Sequence, residues 1–222
     1  MNKIFEGKYD RLTGIIVDGI WHIIKESKKV YDKTEENIYK VEPIFIDDIA
    51  SFKLQVLIER KPGTQDFFID GATLENTISL VIYLDPELEP EIYSELNIDL
   101  QTSVRHELEH ILQEKGIPEK PLLPSREELE KLDPNTLEYF LSDYETAAMV
   151  HGFYRNAKNT KRPLDEVIEN YLHWFIEDKT ITNKEANIIK NKWIKYAKKY
   201  FPKAQYKNIV SESLNEYIRK NK

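Results

Sequence analysis

Between Leu12 and Ile24 the apolar residues Leu12, Ile15, Ile16, Ile20, Ile23 and Ile24 return every three or four positions, the period of one helix face. The spacing predicts an amphipathic helix from Tyr9 to Glu26, with Asp10 as its N-cap and Trp21 adding apolar bulk. The pattern then changes. Ile44-Phe45-Ile46, Phe52 to Ile58, Phe67-Phe68-Ile69 and Ile78 to Leu84 are short runs rich in β-branched and aromatic residues. The turn signals Asp47-Asp48, Lys61-Pro62-Gly63 and Asp70-Gly71 separate them, and Asp85-Pro86 ends the last. Short successive strands with tight turns predict a small, mostly antiparallel sheet.

Beyond residue 86 the period is helical again. One helix is expected from about Asp99, its N-cap, to Lys115, with Gly116 at C′ and Pro118 as a stop. Its inner stripe is Leu100, Val104, Leu108, Ile111 and Leu112. A Pro-rich, acidic connection through Pro118, Pro121 and Pro124 leads to a short helix near Pro134 to Leu141 and another from Asp143 to Lys158. Further helices are expected at about 163–178, 183–200 and 204–220, and no repeat interrupts them. Helix, sheet, then helices is an α+β order.

Composition narrows the chemistry. The 222 residues contain no cysteine, so disulfides, thiolate nucleophiles and Cys-ligated zinc are excluded, and any metal site is built from His, Asp and Glu. No apolar run is long enough to span a bilayer and no secretory h-region is visible, which predicts a cytoplasmic protein without membrane contact. The net charge is −7, yet residues 151–222 carry 16 Lys/Arg against 8 Asp/Glu. Residues 85–145 hold 17 acids against 5 bases, a surround that repels nucleic acid and favours neutral or cationic ligands. The basic C-terminal helices read as solvated faces.

The acidic region contains Val-Arg-His-Glu-Leu-Glu-His-Ile-Leu, residues 104–112. On a helix His106 and His110 lie on one face a turn apart, so both imidazoles can address one point, as two ligands of a tetrahedral zinc do. Glu107 is rotated about 100° from His106. It therefore flanks the ion, where a general base takes a proton from an activated water. Glu109 departs from the uncharged residues usual inside H-E-x-x-H, and reads as solvent-facing or as an acid supporting the ligands. A third ligand is required, and Glu138, Asp143, Glu145, His151 and His173 are candidates. Glu145 is favoured because Ala147, Ala148 and Gly152 let its helix approach closely; the competing reading makes it the N3 glutamate of a capping box on Ser142. His151 is the second choice.

H-E-x-x-H followed about 35 residues later by a Glu on a second helix resembles the zincin metallopeptidases of the glutamate-liganded, gluzincin type. The run from Leu141-Ser142-Asp143 to Gly152-Phe153-Tyr154-Arg155 is similar to small metallopeptidase-like proteins of bacteria and their phages. The resemblance covers roughly residues 78–158. It implies one Zn2+ on His106, His110 and Glu145, with Glu107 as base and a peptide or protein as substrate. It also implies that the strand Ile78 to Leu84 is the sheet edge along which an extended substrate pairs. An oxyanion donor is needed too, and among Tyr144, His151 and Tyr154 the best placed in sequence is His151. Residues 1–158 would form the zincin-like metallopeptidase domain, and 159–222 a helical extension packed on it. Two other readings stand beside zinc-dependent peptide hydrolysis. One is a catalytically silent zincin-fold binding or regulatory module; the other is a metal-free helical interaction protein that binds through its basic C-terminal helices.

Overall fold

The computed structural model describes residues 3–42, 44–46, 51–63, 66–89, 91–114 and 136–207. Its first element, α1 (Lys3–Thr34), runs well past both predicted ends. Tyr9, Leu12, Ile16, Ile20, Ile23 and Ile24 are buried, whereas Ile15 is 41% exposed. Beyond Glu26 the helix carries little core, and the Lys28–Asp32 pair at 2.9 Å supports its last turns. It stops where Glu35 turns left-handed and its amide reaches the Tyr31 carbonyl. Asp10 is therefore not an N-cap; it lies inside the helix and pairs with Arg155 and Lys158.

Five strands follow: β1 (Ile38–Val41), β2 (Ile44–Ile46), β3 (Ser51–Arg60), β4 (Phe67–Leu74) and β5 (Thr77–Leu84). The order across the sheet is β1-β3-β5-β4, with β2 also paired to β3. Every pairing is antiparallel except β3 with β5, which is parallel and runs from Lys53↔Thr77 to Arg60↔Leu84. Alternate residues of β3 and β5 are buried, Phe52 to Ile58 on one and Ile78 to Leu84 on the other, under a layer of α1 and the next helix. Two expectations are corrected here. Asp70-Gly71 is not a turn but the middle of β4; the hairpin turns instead at Glu75-Asn76, both at positive φ as a two-residue type I′ loop requires. Second, Ile78 to Leu84 is not the sheet edge, because β5 lies between β3 and β4 and β4 is the outer strand.

The helix bearing the histidines, α2 (Ile92–Glu114), begins a full two turns before Asp99, so that residue is no cap. Leu96 extends the stripe of Leu100, Val104, Leu108, Ile111 and Leu112, and all six are fully buried. After the undescribed 115–135, which contains the expected Gly116 cap and the proline-rich connection, come α3 (Leu137–Leu141), α4 (Asp143–Thr160), α5 (Leu164–Glu177) and α6 (Asn183–Tyr200). Residues 204–207 are not helical, and the rest of the expected 204–220 helix lies outside the described residues.

The buried apolar side chains form two clusters. Tyr9 to Leu112 fills the space between α1, the sheet and α2; Phe140 to Phe201 joins α3 to α6 around Trp193. Residues of α4, such as Val150, Phe153 and Ala157, belong to the second. The two meet where α4 lies on α2, and the small residues allow that contact: a Cβ on Gly152 would stand 3.1 Å from the Thr102 carbonyl oxygen and 3.5 Å from His106 Cβ. Among the described residues no helix is long and apolar enough to cross a membrane.

Candidate metal centre

At this crossing α2 presents His106 and His110 and α4 presents Glu145. One donor atom from each lies within 4.8 Å of the others. The two Nε2 atoms are 3.1 Å apart, His106 Nε2 is 3.6 Å from Glu145 Oε2, and His110 Nε2 is 3.5 Å from Glu145 Oε1. Ligands about 2.0–2.1 Å from one tetrahedral ion stand about 3.3–3.4 Å from each other. The two imidazole nitrogens stand near that edge length, and each faces its own oxygen of the Glu145 carboxylate at a similar distance, so the three side chains converge on one point. Glu145 Oε2 is buried and accepts no hydrogen bond from any described group, which is costly for a carboxylate oxygen unless a cation takes that place. Two imidazoles and a carboxylate suit zinc and neighbouring divalent metals.

How Glu145 is freed for this is visible at its helix start. Ser142 Oγ accepts from the Glu145 amide at 3.1 Å, so the cap uses the backbone of Glu145. In a full capping box the glutamate side chain would return to the cap amide, as Glu185 does to Thr182 at the start of α6. Here the Ser142 amide donates to the Tyr139 carbonyl instead, and the Glu145 carboxylate is left for the site. Ser142 is thus the N-cap, but the capping box is not completed, and the Glu145 carboxylate is available to the site.

Burial dominates the protonation of the cluster. It holds His106 down to about 4, helped by the Arg105 charge, and His110 well below its ordinary value, which keeps both rings neutral and able to donate a lone pair. It pushes Glu145 up to about 7, against a hydrogen bond from Tyr139. Glu107 rises to about 8, through burial first and then through Glu145 and Asp70, with Thr73 opposing. Each group favours its neutral form when no countercharge is near, and a divalent cation would reverse this for the carboxylates.

Glu107 sits on the opposite flank, against the edge strand. Thr73 Oγ1 donates to Glu107 Oε2 at 2.8 Å, and Glu107 Oε1 is 3.8 Å from His106 Nε2. Gly71 faces the same carboxylate so closely that a Cβ would meet Oε1 at 2.8 Å. Gln113, one turn beyond Glu109, lies 3.2 Å from His110 Nδ1 and donates to the Tyr144 carbonyl, fixing that ring between α2 and α4. The Tyr144 ring stacks on His110 at 4.1 Å.

The other candidates lie elsewhere. Glu138 and Asp143 are exposed, Asp143 pairs with Lys192, and His173 pairs with Glu177 on the surface. His22 lines a separate cleft beside Trp21. His151 is buried but not with the triad; its Nδ1 accepts from Arg105 and lies 3.5 Å from Glu109, and its ring packs on Phe201. That position does not support an oxyanion role. Glu109 is not solvent-facing but buried, joined to Arg105 at 2.9 Å. Tyr154 stacks on Phe201. Sequence reasoning missed Thr73, Gly71, Gln113 and Tyr139; only Gly71 carried a signal, a glycine inside an alternating strand pattern. Comparison with family models, with curated proteins and with solved structures finds no match.

Proposed function

We propose that the protein is a zinc-dependent metallopeptidase in which His106, His110 and Glu145 hold one Zn2+ and Glu107 is the general base. The observation that carries this reading is the convergence of His106, His110 and Glu145, one donor atom from each within 4.8 Å of the others, with the Glu107 carboxylate at their flank. The gluzincin resemblance of the motif and the donor chemistry support it further. When bound, the ion would act as a Lewis acid toward a substrate carbonyl and make a water acidic enough to lose a proton near neutral pH. Glu107 accepts that proton and returns it to the departing amine, held for both transfers by Thr73 and walled by Gly71.

Among the described residues β4 pairs only with β5, so its outer edge beside Glu107 is open to an extended peptide backbone. This replaces β5 in the substrate-pairing role. Tyr139, beside Glu145 and with its proton retained by burial and the glutamate charge, is a better placed oxyanion donor than His151.

Metal analysis of protein purified without added zinc, followed by cleavage of a peptide library, tests the proposal. One equivalent of zinc and cleavage that disappears in Glu107→Gln, with zinc retained, are expected. Cleavage by Glu107→Gln at the wild-type rate overturns the assignment of the base. A zinc-loaded protein that cleaves nothing favours the silent binding module, and a protein with no affinity for zinc favours the metal-free interaction protein.

A further inference from the structure

Beside the centre, between α2, β4 and α5, lies a cavity of about 400 Å³. Its walls are the rings of Phe67 and Phe68 from β4, Phe153 from α4 and Tyr171 from α5. Thr102 and Ser103 line its near end, one helical turn before His106 and Glu107 respectively. On the strand side Ile69 also lines it, two residues from the Gly71 that touches Glu107. Helix and strand thus agree that the cavity begins one helical turn from the base and extends towards the start of α2.

Asp99 lies in that far part. Among the described residues it makes no hydrogen bond or ion pair, and its near charges are the like-signed Glu95 and Asp66. Asp99 is exposed at this end of the cavity, and the protein atoms crowded around its carboxyl, with that repulsion, raise it to about 6, so a cation would relieve the site. Arg162, the cationic residue on the wall, is exposed and leans 3.8 Å from Glu166. Phe68 is 57% exposed at the rim, an aromatic face left for a ligand. Asp99 stands two turns, about 12 Å of helix, from Glu107, so a side chain must be long to reach it from a backbone at the reacting centre.

We propose that this cavity is the specificity pocket of the site and takes a lysine or arginine side chain next to the bond that is cut, its methylene stem among the rings and its charge on Asp99. The proposal rests on the hydrolase reading for what the bound chain undergoes, but not for whether it binds. The test compares zinc-loaded full-length protein on paired peptides that carry lysine or norleucine at one position on either side of the cleaved bond. Wild type should prefer lysine by about fivefold, as a partly exposed ion pair gives, and Asp99→Asn should bring the ratio towards one. Equal cleavage of both peptides by wild type, or an undiminished preference in Asp99→Asn, overturns the proposal. If wild type cleaves none, the hydrolase reading fails, and fluorescence anisotropy with the same labelled peptides decides the pocket. Lysine peptides binding about fivefold tighter, with the difference lost in Asp99→Asn, sustain it; equal binding refutes it.

Discussion

The placement of Glu107 against the outer strand leads to a sharp prediction at Gly71, a residue that touches no metal ligand. The backbone of Gly71 does not require positive φ, so alanine fits its conformation. The difficulty is the new methyl, which would stand 2.8 Å from Glu107 Oε1, 3.2 Å from Cγ and 3.3 Å from Cδ. The carboxylate must retreat by about half an ångström to regain van der Waals distance. It has nowhere to go cheaply, being 4% exposed and held by Thr73 at 2.8 Å. For Gly71→Ala, overpacking of about 1–3 kcal/mol is offset in part by about 0.4–1 kcal/mol from a less flexible unfolded chain. The variant should therefore fold. Displacing the base by a large fraction of an ångström should cost about 10²-fold in kcat/KM, close to 3 kcal/mol on the barrier. The assay is peptide cleavage by zinc-loaded protein, with zinc content and the thermal midpoint measured on the same sample. Wild-type kcat/KM in a folded, zinc-loaded variant would refute the reasoning that this carboxylate is the base. A parallel loss of zinc would show that the strand had displaced the ligands as well.

Gln113→Leu removes the group that orients His110 and should weaken zinc binding by about 10–100-fold in a chelator competition, leaving the fold intact; unchanged affinity would refute that role. Metal-free protein should lose stability, on the order of 1 kcal/mol, as pH rises from 6.5 to 8, followed by urea denaturation. In that window Glu107 and Glu145, raised to about 8 and about 7, hold protons when folded and release them when unfolded, and the buried His106, His110 and His151, neutral when folded but about half protonated at pH 6.5 when unfolded, offset part of the loss. A flat profile would place those carboxylates in a wetter site. Glu109→Leu strands the Arg105 charge in the interior and should cost about 3–5 kcal/mol in the same assay, an outcome a surface acid would not give.

Local rules made part of this molecule legible. The i, i+4 histidines, the flanking glutamate and the fully buried stripe of α2 follow from helical period alone, and the small residues of α4 rightly indicated a close crossing. What escaped was set by tertiary pairing. Asp70-Gly71 has turn chemistry, yet the chain continues straight because the glycine answers the Glu107 side chain, not the backbone. The true turn uses Glu75-Asn76, where Glu is an unusual left-handed residue. Nothing local says that β3 and β5 pair in parallel around a hairpin, and that choice decides which strand borders the site. His151 failed for a similar reason: proximity in sequence placed it a turn and a half beyond Glu145, on a face turned to Arg105 and Glu109.

The two apolar clusters meet along α2 and α4, and the donor triad straddles that meeting line, its histidines from one side and its glutamate from the other. Neither half of the chain can carry the centre by itself. The proposed metal would act there as a clasp, its affinity including the free energy of keeping the halves docked. A molecule that pried α4 from α2 by an ångström or two would switch the centre off without approaching it, and removing the clasp should let the halves unfold less in step.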